Sequence, residues 1–149
     1  MSHSLAKLTF YLCLAFALGC QSHVFEKGFY REDLASRVER ARKLPLDQQY
    51  KLFRYGNDVI HPPLMDMPIP IAERGKEAVP FLLEQLQTDD DDRAAEDILL
   101  VFYRMASLGT YPVKSDSTVM DALRTRVASL ENKERRTTAE RTLKRISEF

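Results

Sequence analysis

The side chains that do chemistry in small constellations are sparse in this 149-residue sequence, which has two cysteines and three histidines. His3, His23 and His61 lie far apart, with no HxxxH or CxxC spacing to gather zinc ligands on one helix face or turn. The acidic run Asp89–Asp92 lacks the alternating ligands, central glycine and terminal glutamate of an EF-hand loop, so it is read as the solvated first turn of a helix. No GxSxG turn positions a serine nucleophile, and no glycine-rich loop cradles a phosphate. Acid pairs do occur, Glu73 with Glu77 and Glu96 with Asp97, and a glycosidase needs only two carboxylates at a defined separation. With 22 acidic residues in the chain, such pairs arise by composition alone. No enzymatic activity, cofactor or metal site is expected.

Cys20 has the most determinate chemistry. Met1–Lys7 carries one lysine and no acid; Leu8–Leu18 is apolar except for Thr9; the small residue Gly19 then precedes Cys20. A charged start, a short apolar run and a small-residue exit describe a secretory signal peptide. The run falls short of the roughly 20 apolar residues that cross a bilayer. Ala17-Leu18-Gly19-Cys20 resembles the lipobox of bacterial lipoproteins. Gly19 and Cys20 match that pattern, while Ala17 stands where Leu, Val or Ile is commoner. The resemblance implies a diacylglycerol on the Cys20 thiol, cleavage before it, and acylation of the new amino terminus. It also implies export to the outer membrane, because Gln21 rather than Asp follows the cysteine. An ordinary signal peptide cut nearby and an uncleaved anchor are the alternative readings.

Cysteine usage agrees with lipidation. Cys13 lies in the apolar run and would leave with it, so Cys20 becomes the sole thiol and has no intramolecular disulfide partner. An unpaired thiol is a liability in an oxidising compartment, and acylation removes it. Each buried methylene contributes about 0.8 kcal/mol, so two or three acyl chains hold firmly where one does not. The chain thus divides into a signal peptide (1–19), a lipidated cysteine with a short linker (20–30) and a helical domain (31–149).

The elements that must position any function are helical by composition and period. Formal charge balances at 22 basic and 22 acidic residues, which gives no global signal for nucleic acid. There is no Trp and only five glycines, while Leu, Ala, Glu and Arg abound, which favours helix. Leu34, Val38, Ala41 and Leu44 share one helix face; after Pro45, Leu46, Gln49, Tyr50 and Phe53 continue at helical spacing to Gly56, read as a C-cap. Asn57–Pro70 holds four prolines and is expected to be irregular. It is unusually apolar for a loop. His61, Leu64, Met65, Asp66 and Met67 are its candidate partner contacts, since methionines adapt to varied surfaces and long loops often carry function. The alternative is that the loop folds over the core and buries them.

Val79, Leu82, Leu83 and Leu86 form the next stripe, with Pro80 suited to a helix first turn. Around Gly75-Lys76-Glu77-Ala78-Val79-Pro80 the sequence resembles a HEAT repeat, in which one helix ends at glycine and another begins with such a turn before paired leucines. There is one copy, so the resemblance implies a HEAT-like domain and not a regular array. A central helix is expected over Arg93–Leu108, its narrow polar face made of Arg93, Glu96, Asp97, Arg104 and Ser107. Gly109 ends it. Ser115–Ser117 caps a helix carrying Val119, Leu123, Val127 and Leu130, and a last helix spans Glu134–Ser147 with Ala139, Leu143 and Ile146 inward. Near that end Lys133, Arg135, Arg136, Arg141, Lys144 and Arg145 face only Glu134 and Glu140, a basic stretch that suits anionic headgroups, an acidic partner or plain solvation.

The predicted fold is all-α, about six helices packed as antiparallel pairs in a small HEAT-like or irregular domain. The function expected is that of a lipid-anchored periplasmic protein-binding module without catalytic activity, attached to the membrane through Cys20 and meeting a protein partner. An immunity protein neutralising a periplasmic toxin is one form of it. A carboxylate-dependent envelope hydrolase and a structural envelope lipoprotein are the rivals.

Overall fold

The computed structural model describes residues 28–61 and 63–149. Cys20 and the segment before it lie outside the described residues. All regular structure among the described residues is helical: α1 (Leu34–Arg42), α2 (Leu46–Val59), α3 (Ile69–Ala72), a 3-10 turn (Gly75–Ala78), α4 (Val79–Thr88), α5 (Asp92–Leu108), a second 3-10 turn (Val113–Ser115), α6 (Ser117–Ser129) and α7 (Lys133–Glu148). None of these helices is long and apolar enough to cross a membrane. The described residues divide into two units, one ending at Arg37 and the other Val38–Phe149. In the first, Asp33 starts α1 by accepting the Ser36 backbone N–H (3.1 Å) and hydroxyl (2.7 Å), which satisfies a donor left open at a helix start.

In the second unit, local chemistry sets each boundary. Pro45 breaks the chain between α1 and α2, and the carbonyls left over are taken up by side chains. The buried Gln49 amide donates to Ala41 O (2.9 Å) and Leu44 O (3.1 Å); Arg74 donates to Leu44 O (2.8 Å) and to the Gln49 carbonyl oxygen (3.1 Å). Gly56 does not end α2. It is buried in mid-helix, its carbonyl accepts from Ile60 N–H at 2.9 Å, and α2 runs on to Val59. A glycine stops a helix only where the backbone turns left-handed, and among the described residues only Gly75 and Gly109 do so. The irregular stretch shrinks accordingly to 60–68. Pro68 and Pro70 sit at the start of α3, where a missing N–H is harmless.

Gly75 carries a packing constraint beyond its turn. Its φ is 54°, and a Cβ there would stand 2.5 Å from the Thr110 carbonyl oxygen. Thr110 in turn donates its hydroxyl to Ala72 O at 2.7 Å, so the chain leaving α5 clamps the turn after α3. Pro80 occupies the first turn of α4, as its type predicts. Asp91 caps α5 through Arg93 N–H (3.0 Å), and Gly109 closes it at φ 68°. Asp116 caps α6 and Asn132 caps α7.

α5 is the central element. It buries Ala94, Ala95, Ile98, Leu99, Val101, Phe102 and Met105; α7 packs most extensively along it, and α3, α4 and α6 also touch it. Phe53, Ile71, Leu82, Leu123, Leu130 and Ile146 complete a core of fully buried side chains. Leu143, expected inward, is only half-buried.

Candidate functional site

The segment after α2 is split between surface and core. Val59, His61, Pro63 and Met65 are exposed, Leu64 and Asp66 are half-buried, and Met67, Pro68 and Pro70 are buried. Met67, at 2% exposure, is a core residue and not a partner contact; its thioether fills the interior where the chain turns into α3. Met65 stays 52% exposed, and its carbonyl is pinned by the Arg104 guanidinium on α5 (3.1 Å).

That bond joins the segment to a surface no single sequence motif marked. Leu100, Tyr103, Arg104, Ser107 and Leu108 follow one another at i, i+3, i+4 spacing down the outer face of α5. Leu108 is 49% exposed. Tyr103 takes the ring of Phe149 edge-on, with centroids 5.7 Å apart, and Phe149 is itself 58% exposed. The Arg104 guanidinium lies 5.9 Å from the Tyr103 ring centroid. Two shallow clefts of about 250 Å³ each border Phe149. One is lined by Ala106, Tyr111, Pro112 and Lys114, the other by Tyr103, Arg145 and Glu148. The outer face of α5 thus meets Met65 through Arg104 and Phe149 through Tyr103, and Met65, Leu108 and Phe149 are each about half exposed. Covering the exposed half of any one is worth roughly 0.7–1.5 kcal/mol.

The basic stretch of α7 is weaker than its sequence suggests. Arg135 forms an ion pair with Glu96, and Arg136 donates to the Leu130 carbonyl at the end of α6. Both point toward the protein. Lys133, Arg141, Lys144 and Arg145 remain exposed, interleaved with the exposed acids Glu134, Glu140 and Glu148.

The acid pairs of the sequence do not pair with each other. Glu73 accepts two bonds from Arg42, both 2.7 Å, and this guanidinium holds its carboxyl below the ordinary range. Glu77 pairs with Arg74 (2.9 Å), and Glu96 with Arg135. Asp97, placed by periodicity on the polar face of α5, is 6% exposed. Arg54 Nη1 donates to its Oδ2 (3.0 Å) and Asn57 to its Oδ1 (2.6 Å). Burial pushes this carboxyl up to about 6, against the opposing pull of the Asn57 hydrogen bond and the Arg54 charge. Burial works to lower Arg54, but its bonds to Asp91 (2.9 Å) and Asp97 raise it on balance. The nearby Tyr50 hydroxyl is buried with no hydrogen-bond partner, and burial pushes it up to about 12. Among the described residues no group of three or more His, Cys, Asp or Glu is arranged to hold a metal ion. The chain matches no family model, no curated protein and no solved structure.

Proposed function

We propose that this chain is a lipid-anchored protein-binding module of the bacterial cell envelope, tethered through Cys20 to the outer membrane on its periplasmic side. Its helical unit meets a protein partner on the outer face of α5, between Met65 and Phe149. One observation carries the docking half of this reading: Met65, Leu108 and Phe149 are each about half exposed around Tyr103 and Arg104, with a cleft on either side of Phe149. Apolar side chains left in water around aromatic and arginine anchors are the composition of a contact centre. The signal segment and lipobox-like residues support the tether. The sequence's acid pairs, each acid drawn to an arginine and not to its neighbour, lend no support to a carboxylate hydrolase.

The test is photo-crosslinking in living cells, with the cross-linking residue placed at Met65, Leu108 or Phe149, or at the exposed control positions Lys76 and Arg124. Discrete protein adducts at the first three and none at the controls are expected. Mass spectrometry of the same adducts should begin at an acylated Cys20. Equal labelling at all five positions would sink the docking face, and an unmodified amino terminus elsewhere would sink the tether.

A further inference from the structure

The described residues hold no cysteine and no tryptophan, so methionine sulfur is the side-chain atom among them most open to two-electron oxidants. There are four such sulfurs. Met67 is 2% exposed, Met105 0% and Met120 3%, while Met65 is 52% exposed. Met65 and Met67 flank Asp66 on one segment, one half in water and the other in the core. Met65 is held where it stands. The Arg104 guanidinium on α5 binds its carbonyl at 3.1 Å, and Met67 takes the interior space two residues on.

From these exposures we propose that Met65 is a reversible oxidation site, the methionine at which peroxide modifies this chain, and that its sulfoxide releases the partner from the outer face of α5. The modification site stands on exposure and composition; its effect on the partner rests on the docking reading.

The oxidant is hydrogen peroxide. A lone pair of the thioether attacks one peroxide oxygen, and the S–O bond forms as the O–O bond breaks. The departing hydroxide takes the proton left on the transferred oxygen and becomes water. Sulfur loses two electrons and peroxide gains them. Methionine sulfoxide reductases reverse the change, one for each sulfoxide epimer; the oxygen leaves as water while two thiols become a disulfide.

The consequence follows from polarity. The thioether is a flexible apolar group that suits a contact surface. The sulfoxide carries a strong S–O dipole that water solvates, and covering it with apolar partner atoms strips that water. Leu108 and Phe149, 49% and 58% exposed, hold no sulfur and are unchanged. Oxidation at Met65 therefore weakens docking and leaves the core, where Met67, Met105 and Met120 sit, intact.

Two measurements test this. In the first, the full-length chain is treated with hydrogen peroxide, digested and mapped by tandem mass spectrometry, with fragment ions at Asp66 separating Met65 from Met67. Met65 should gain an oxygen at least about tenfold faster than the buried three, which are reached only when the structure opens. In urea all four should react alike. Equal rates in the folded chain, or a buried methionine reacting first, would overturn the site.

In the second, the photo-crosslinking residue is placed at Leu108 or Phe149 in living cells. A peroxide pulse should lower the adduct yield about tenfold, as desolvating one dipole predicts, and the yield should return once the sulfoxide is reduced. In Met65→Leu, which has no sulfur there, the ratio of yields with and without peroxide should stay at one, whatever the starting yield. A peroxide loss of equal size in Met65→Leu, or no loss in the unaltered chain, would overturn the switch and leave docking standing. An absence of adducts before peroxide would overturn the docking reading and the switch with it, while the oxidation map still decides the site.

Discussion

Replacing Gly75 with alanine separates two costs that glycine avoids. The first is the backbone: at φ 54°, a residue with a Cβ gives up roughly 1–2 kcal/mol for the left-handed conformation. The second is the close approach. The new Cβ would lie 2.5 Å from the Thr110 carbonyl oxygen, a backbone atom that cannot rotate away. The chain after α5 must therefore shift, which threatens the bond from the Thr110 hydroxyl to Ala72 O. A part-buried hydrogen bond lost this way costs about 0.5–1.5 kcal/mol, and overpacking about 1–3 kcal/mol. The total for Gly75→Ala is roughly 2.5–6.5 kcal/mol.

Gly109→Ala is the internal control. Its φ of 68° is equally left-handed, yet nothing lies within 4 Å of an added Cβ, so only the backbone cost of roughly 1–2 kcal/mol applies. Urea unfolding followed by circular dichroism measures both. At an m of about 2 kcal/mol/M, Gly75→Ala should lower the midpoint by about 1–3 M and Gly109→Ala by about 0.5–1 M, with m unchanged. Equal losses at the two glycines would refute the idea that the Thr110 carbonyl, and not the turn, reserves position 75 for glycine.

Two further predictions concern the segment after α2 and the surface. Met67→Ala should destabilise by about 2–4 kcal/mol, as core truncations do, whereas Met65→Ala should stay within about 0.5 kcal/mol; comparable losses would contradict the division of that segment into a buried and an exposed half. Glu73→Gln removes the Arg42 pair at a half-exposed site, where solvent screening limits the loss to about 0.5–1 kcal/mol. Because Glu73 is held below its ordinary value, that contribution is present above the ordinary carboxylate range and fades as pH falls below it. Thermal melts of both proteins at pH 7 and pH 3 check this, and a deficit that grows on acidification would be the wrong sign.

The helices were largely legible because their signals are local. The stripe Val79, Leu82 and Leu86, the first-turn Pro80, the Asp116 cap and the Gly109 stop each act within a turn or two of chain. Gly56 was misread because a glycine ends a helix by adopting a left-handed backbone, and neighbouring sequence does not say whether it will. The four prolines were over-read for a related reason. Proline breaks a helix only in its interior, and Pro68 and Pro70 stand at a start.

The candidate site was less legible, since its residues meet from distant parts of the chain. Asp97 looked solvated from its place in the helical period, and its partners Arg54 and Asn57 lie 43 and 40 residues away. Arg135 counted toward a basic face until Glu96, 39 residues away, took it inward. Met65 reached α5 through Arg104 at a separation of 39.

The sequence by itself determined that the described chain is helical, where most helices begin and stop, and which stripes bury. These follow from backbone hydrogen bonding, caps and a 3.6-residue period, all of which operate over a few residues. Only the tertiary structure decided which charges are spent on one another, which methionine is core and which is surface, and that a carboxylate stands buried between α2 and α5. Those outcomes depend on desolvation and on partners brought together by folding, and neither quantity exists until the helices have packed.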